Sequence, residues 1–450
     1  MKKLMPTKSL AIALLSVSTL SCAVNKDINN TISLAQVTKD VSYLASDELN
    51  GRGNFSKDIN KAASYIAQRF EESGLSSANN AVNFQQSYQV KRILPKSLTV
   101  SINGKQYQRD KLALASTVKT LDWTTNTNNI NTHTIAEQDN MREKLGQLNQ
   151  QGGMHLVVIS TKHQALFSRY QNYFNHGLTK LETTNTNDNT TSGGAIVMVL
   201  TDDNSIDSFS VAAQTSIEKT TLTNVVGVLP GKSKANEIVL YSAHYDHLGA
   251  ADDKQIYNGA DDDASGTSAI INLANYFAKE NNNERTLMFA AFSAEEIGGF
   301  GSKYFSKQLD PNAITAMINI EMIGKPSKFG AGTVWMTGME RSSLGEQLNE
   351  ALAAKNLTIY QDPYPKQQLF YRSDNATLAR LGVPAHSFSS TQLDKDQHYH
   401  QVTDDIASLD LNSMHQVIQS LAIATTPLVT GEVTPSRIDV NKVKAKGKIY

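Results

Sequence analysis

Apolar positions fall into distinct regimes along the chain. Val37, Val41, Leu44 and Ala45 recur at three- and four-residue intervals within 34–49, which predicts a helix. Ala62, Ile66, Ala67 and Phe70 repeat that spacing in a second helix ending near Gly74. Between them, Asn50-Gly-Arg-Gly-Asn54 reads as a turn. From about Phe84 to Thr221, strand-like runs at 97–102, 155–159 and 195–200 are separated by Asn/Thr-rich tracts, 124–132 and 183–192, which read as long surface loops. From Leu222 onward, short apolar strands (224–229, 237–242, 286–292, 314–320, 333–337, 384–388) alternate with helices (265–279, 342–354, 409–428). The alternation predicts an α/β fold with a mixed, largely parallel central sheet flanked by helices. The expected layout is a main domain assembled from 24–84 and 221–430, an inserted smaller mixed α/β accessory domain at 85–220, and a polar tail at 431–450. Within that tail, 441–448 carries four lysines and reads as solvated.

Charge and cysteine content narrow the chemistry. Across 450 residues, 42 Lys and Arg oppose 43 Asp and Glu, so the clustered basic excess needed for nucleic-acid binding is absent. The single cysteine, Cys22, excludes an intrachain disulfide framework and a multi-cysteine zinc site. Any metal must therefore be held by His, Asp and Glu. The chain opens like an export signal: Lys2, Lys3 and Lys8 accompany an apolar run over 9–20 that is too short to span a bilayer. Ser21-Cys22-Ala23 offers cleavage after Ala23, giving a signal peptide at 1–23. The alternative is lipoprotein processing with Cys22 acylated, although Thr19 occupies the position where an aliphatic residue is expected. Either route predicts export, to a periplasmic or extracellular location, free or tethered by a lipid. No later stretch is long and apolar enough to predict a transmembrane segment.

In open α/β sheets, ligands gather outside the carboxyl ends of the strands. The residues expected there carry ionisable chemistry: His244-Tyr-Asp246-His247, Asn258-Gly-Ala-Asp261-Asp262-Asp263-Ala-Ser-Gly266, Glu295-Glu296, Glu321 and His398-Tyr-His400. Each alone has an ordinary reading. Paired glutamates suit a solvated turn, and aspartates before a helix suit capping. Three adjacent carboxylates repel, however, and one cap needs only one side chain. The Glu pair also follows an apolar run that reads as a buried central strand, where divalent cations would neutralise it. A donor set of O and N atoms suits zinc, with cobalt or manganese as alternatives.

Together with His244-x-Asp246, 259–266, Glu295-Glu296, Asn319-Ile-Glu321-Met-Ile and Tyr399-His400, the chain resembles the M28 metallopeptidases, the co-catalytic dizinc aminopeptidases. The segment Leu44-Ala-Ser-Asp-Glu-Leu-Asn-Gly-Arg-Gly53 is similar to the lead-in of bacterial members. The resemblance implies that His244 and Glu321 bind one zinc and that Glu296 and His400 bind the other. Asp262 would bridge the two, with a cis peptide to Asp263, while Asp246 would orient the His244 imidazole. Many relatives have Asp where this chain has Glu321, and a His where it has Asn375, so Asn375 receives no metal role. Glu295 would be the general base toward a water shared by the metals, since consecutive residues in extended backbone project oppositely. The implied activity is an aminopeptidase acting on peptides with a free N-terminus. Readings within the same fold are a glutaminyl cyclase and a carboxypeptidase or dipeptidase. A further reading is an inactive hydrolase serving as a binding module. His247 is expected in a surface or hydrogen-bonding role, with His398 a secondary ligand candidate. The insert is expected to supply no ligand but to cap the cleft and restrict substrate length.

Overall fold

The computed structural model describes residues 28, 32–182, 193–251 and 255–450. The expected signal segment with Cys22 and the 183–192 tract lie outside the described residues. The chain enters through α1 (Leu34–Leu44) and α2 (Ile59–Glu72). Ser33 caps α1 by accepting the Gln36 N–H, and Val37, Val41 and Leu44 form its buried stripe.

A long strand, β1 (Gln85–Ile102), leads into the insert. There β2 (Leu112–Ser116), β3 (Ile130–Ile135), α3 (Met141–Gln151), β4 (Gly153–Ile159), α4 (Gln164–Asn175) and β5 (Gly194–Leu200) follow in turn. They form a separate sheet in the order β2-β5-β4-β3. The chain returns along β6 (Phe209–Leu229), which pairs antiparallel with β1 from Ile102↔Phe209 to Gln85↔Val225. Residue 220 thus lies inside a continuous strand: the insert is joined through a two-stranded ribbon rather than a linker. The 124–132 tract is shorter as a loop than expected, because β3 starts at Ile130. Its Thr and Ile residues form a mostly solvated outer strand whose polar faces hide the pattern.

The main sheet continues with β7 (Lys234–His244), β8 (Arg285–Phe292), β9 (Ile314–Ile320), β10 (Val334–Met336), β11 (Ile359–Gln361) and β12 (Ala385–Ser389). Its order is β11-β10-β12-β9-β7-β8-β6-β1, with β8, β7, β9 and β12 mutually parallel. Alternate residues of the central strands pack on opposite faces. Val239, Tyr241, Phe289 and Ile318 join α1, α2, α5 (Gly266–Glu280) and α6 (Leu411–Val429) on one side. Leu240, Met288, Phe292 and Met317 pack on the other. Among the described residues, no helix is long and apolar enough to cross a membrane.

The lysine-bearing stretch 441–448 is exposed or half-buried, as expected, but the tail on either side of it is anchored. Ile438 and Ile449 are buried, and Tyr450 packs its ring 5.1 Å from that of Phe174 in the insert. The backbone N–H groups of Ile449 and Tyr450 both donate to Asn149 Oδ1, at 2.8 and 2.9 Å. Isolated apolar anchors among lysines leave no periodicity to read, so a docked strap looks like a solvated tail in sequence.

Candidate metal centre

Because β7, β8 and β9 run parallel, their carboxyl ends share one edge, and the ionisable residues that follow them meet there. His244 ends β7, Glu321 follows β9, and Glu295 and Glu296 lie just beyond β8. Asp262 sits in the loop that opens α5, and its peptide to Asp263 is cis. Gly266 begins that helix under tight constraint: a Cβ there would stand 2.3 Å from the Ile320 carbonyl and 2.5 Å from Asp263 Oδ1.

The Asp262 carboxylate lies between two imidazoles. Its Oδ1 is 3.2 Å from His244 Nε2, and its Oδ2 is 3.2 Å from His400 Nε2. His244 Nε2 is also 3.3 Å from Glu321 Oε1, and His400 Nε2 is 3.3 Å from Glu296 Oε2. A tetrahedral shell with bonds of about 2.0–2.1 Å sets neighbouring donors about 3.3 Å apart, so the spacing fits donors converging on cations. Unpartnered atoms carry the same message. His247 Nε2 is buried without a partner, while His247 Nδ1 and Glu296 Oε1, 2.8 Å apart, and His400 Nε2 are buried with no well-aligned hydrogen bond. Such groups are costly unless something else satisfies them. The residues present fit divalent cations: ligand atoms of His244, Asp263 and Glu321, and of His247, Asp262 and Glu296, lie within 4.8 Å of one another in two groups, with Asp262 also between His244 and His400.

The three aspartates divide their tasks. Asp261 meets Lys325 Nζ at 3.2 Å and accepts the Gly324 N–H. Asp263 also comes within 4.8 Å of His244 and Glu321. Its oxygens, however, already accept the N–H groups of His244, Gly266 and Met322. Only Asp262 is left facing both imidazoles. Asp246 acts differently from the expectation. The His244 Nδ1–H donates to the Asp246 backbone carbonyl at 3.0 Å, while the nearest Asp246 carboxylate oxygen is 3.7 Å away. The carboxylate instead accepts the backbone N–H groups of Glu295 and Glu296, at 3.1 and 3.2 Å. It holds the glutamate turn in place and fixes the imidazole through its main chain.

Electrostatics follow from crowding. Burial and the repulsion of Glu321, Asp374 and Glu296 push the Glu295 carboxyl well above its usual range, against the pull of His244. Burial opposes charge on His400, but Asp262 and Glu296 outweigh it and raise the imidazole to about 10. Burial likewise opposes charge on His244, and Glu321, Asp246 and Asp262 raise it well above normal.

Several contributors escape sequence reasoning. Arg52 is fully buried and donates to the carbonyls of Tyr245 (2.7 Å), Asn258 (2.6 Å), Gly259 (2.9 Å) and Leu44. It clamps the loops that carry Asp246 and Asp262. Asn54 donates to Asp246 Oδ2 at 2.7 Å and accepts the Ala294 N–H. Ser373 Oγ donates to Glu321 Oε2 at 2.6 Å, and Asp404 accepts the N–H groups of Asp261 and Asp262. An arginine in a Gly-rich turn reads as exposed, and nothing local signals its burial. His247, expected at the surface or in a hydrogen bond, is buried with Nδ1 2.8 Å from Glu296 Oε1. His398 turns to Thr403 instead, with Nδ1 2.9 Å from its carbonyl. Asn375 is buried in hydrogen bonds to Phe370 and Ser387.

Two recesses flank these groups. One, largely apolar, is bordered by Glu321, Met322, Trp335, Leu369 and Leu393. The other holds Glu295, Glu296, His400, Arg380, Lys446 and, from the insert, Tyr173.

Comparisons with known proteins bear on the sequence and the fold. Residues 224–425 match the model of Peptidase family M28. A Leucine aminopeptidase 1 from Ajellomyces dermatitidis is 32% identical over 205 residues, covering 43% of this chain and 52% of that protein. One from Blastomyces gilchristii is 31% identical over the same span. The chain thus spans about half the length of these curated relatives. Among solved structures, an aminopeptidase from Aneurinibacillus sp. strain AM-1 aligns with a TM-score of 0.56 at 16% identity, over 93% of this chain and 98% of that one. The zinc aminopeptidase BSAP from Bacillus subtilis aligns at 0.53 and 17%, over 91% and 98%. These alignments show a shared fold. The matched stretch, 224–425, carries His244, Asp262, Glu295, Glu296, Glu321 and His400 and is similar to Peptidase family M28.

Proposed function

We propose that this protein is an exported, zinc-dependent aminopeptidase that removes N-terminal residues from peptides. The observation that carries the reading is the Asp262 carboxylate set between His244 and His400, each imidazole paired with a glutamate. Two zinc ions bound there would activate a water and polarise the scissile carbonyl. Glu295 follows ligand candidates on every side but is not needed by either cation, which leaves it to take a proton from the attacking water and return it to the leaving amine. Its acidic neighbours strengthen it as a base. Asp246 and Asn54 hold the backbone on which Glu295 stands, so its carboxylate is aimed before substrate arrives.

The apolar recess supports a preference for a bulky apolar N-terminal residue. A side chain lodged against Trp335, Met322 and Leu369 keeps its amine beside Glu321. Leucine is the residue named in the relatives. Export is supported by Lys2, Lys3 and Lys8 with the apolar run at 9–20. The test is turnover of leucine p-nitroanilide and of its N-acetylated form, with and without chelator. Cleavage of the free-amine substrate alone, abolished by chelator and restored by zinc, is expected. Cleavage of the blocked substrate, or no response to chelator, overturns the reading.

A further inference from the structure

The docked tail brings a cation to the cleft. Lys446 Nζ donates to the Gly298 carbonyl at 2.6 Å. That carbonyl lies beside the proposed base, because the N–H groups of Gly298 and Gly299 both donate to the Glu295 carbonyl, at 2.8 and 3.0 Å. Lys303, Lys180 and Arg380 stand near Lys446. Burial and these neighbouring cations depress the Lys303 ammonium to about 5. Among the described residues, none of the four has a carboxylate within salt-bridge distance. Arg380 gives hydrogen bonds to the carbonyls of Lys444 and Ala376. Lys180 reaches the Lys448 carbonyl at 3.3 Å. Glu295 and Asp374 oppose the charge of Lys446 from the metal side, while Lys446 and Arg380 together border the recess, and cations lining a concave surface attract an anionic group.

Position points to the ligand these cations would take. This inference rests on the aminopeptidase reading. With the N-terminal side chain in the Trp335 recess and the scissile bond at Glu295, the rest of the substrate leaves through the second recess. An extended residue spans about 3.3–3.6 Å, so one or two residues beyond the scissile bond carry the terminal carboxylate toward Lys446. We propose that Lys446 and Arg380 form a receptor for the C-terminal carboxylate, making the enzyme selective for dipeptides and tripeptides. The tail and the insert, which contributes Lys180 and Tyr173, would close the cleft at that length.

The experiment uses the full zinc-loaded protein and compares kcat/KM for Leu-Gly and Leu-Gly-Gly with their C-terminal amides. Leucine p-nitroanilide serves as a substrate with no carboxylate. The free acids are expected to be favoured at least about tenfold, as charge-assisted hydrogen bonds allow. In Lys446→Ala and Arg380→Met the ratio should fall toward one, and Lys446→Glu should favour the amides. Leu-Glu-amide against Leu-Gln-amide tests whether a side-chain carboxylate substitutes. Equal rates for acid and amide in the unaltered protein overturn the inference, whether or not the variants fold. A preference confined to the Glu side chain overturns it also. Failure to cleave any of these peptides or leucine p-nitroanilide overturns the aminopeptidase reading instead.

Discussion

At the scale of single residues, adjacent glutamates receive opposite tasks from their surroundings. Glu296 lies 3.3 Å from His400 and 2.8 Å from His247, among donors that converge. Glu295 has no such partner and faces the recess that holds Lys446. Glu295→Gln should therefore keep its metal and its fold while turnover falls by about 10²–10⁴. Glu296→Gln replaces an anionic donor with a neutral one and should lose metal, with partial rescue by excess zinc. Metal content and turnover, measured side by side, check both; metal loss by Glu295→Gln with rescue would reverse the two roles. Most of these side chains were legible in sequence, because clustered carboxylates and histidines at strand ends have few structural uses. Arg52, Asn54 and Ser373 were not. Their contacts bridge segments distant in sequence, and no local pattern records such contacts.

At the scale of elements, the central strands were legible because alternation of apolar residues with helical segments is strong there. Predicted 314–320 coincides with β9, and predicted 286–292 lies within β8. Of the ribbon, only 97–102 at the end of β1 and 224–229 at the end of β6 were predicted, since its long solvated faces break the apolar runs elsewhere. A single buried imidazole gives β12 a distinctive acid response. His386 is fully buried, with Nδ1 2.8 Å from the Thr337 carbonyl and Nε2 2.8 Å from Ser342 Oγ. Burial lowers its pKa to about 4, whereas an unfolded histidine titrates near 6.5. Above 6.5 both states are neutral and the stabilisation is complete. As pH falls from 6.5 toward 4, the unfolded chain takes up a proton that the folded chain refuses, and stability is lost. Between pH 7.5 and 5.0 the loss should be on the order of 2 kcal/mol. His386→Gln should remove that part of the pH dependence in denaturant unfolding; an unchanged difference between the two pH values would contradict the account.

At the scale of the whole molecule, the insert and the tail border the site, and among the described residues neither contributes to the groups that could hold a metal. The register of the ribbon allows a direct test, since Ile102 pairs with Phe209 and a short turn can join them. Replacing 103–208 with Asn-Gly removes Tyr173, Lys180 and the docking site for Ile449. The shortened protein should bind zinc as the full chain does, but cleave longer peptides more readily relative to dipeptides. Metal analysis and a peptide-length series check this; loss of metal from a folded variant would show that the insert helps to build the centre. The central claim is that one carboxylate, Asp262, organises two cations for one reaction. Its most direct test is to strip the full-length protein of metal and titrate zinc back while following leucine p-nitroanilide hydrolysis. The account predicts that activity appears with zinc and reaches its plateau at two equivalents per chain, with two tightly held ions measured in the plateau sample. Full activity at one equivalent, or activity in the stripped protein, would contradict it.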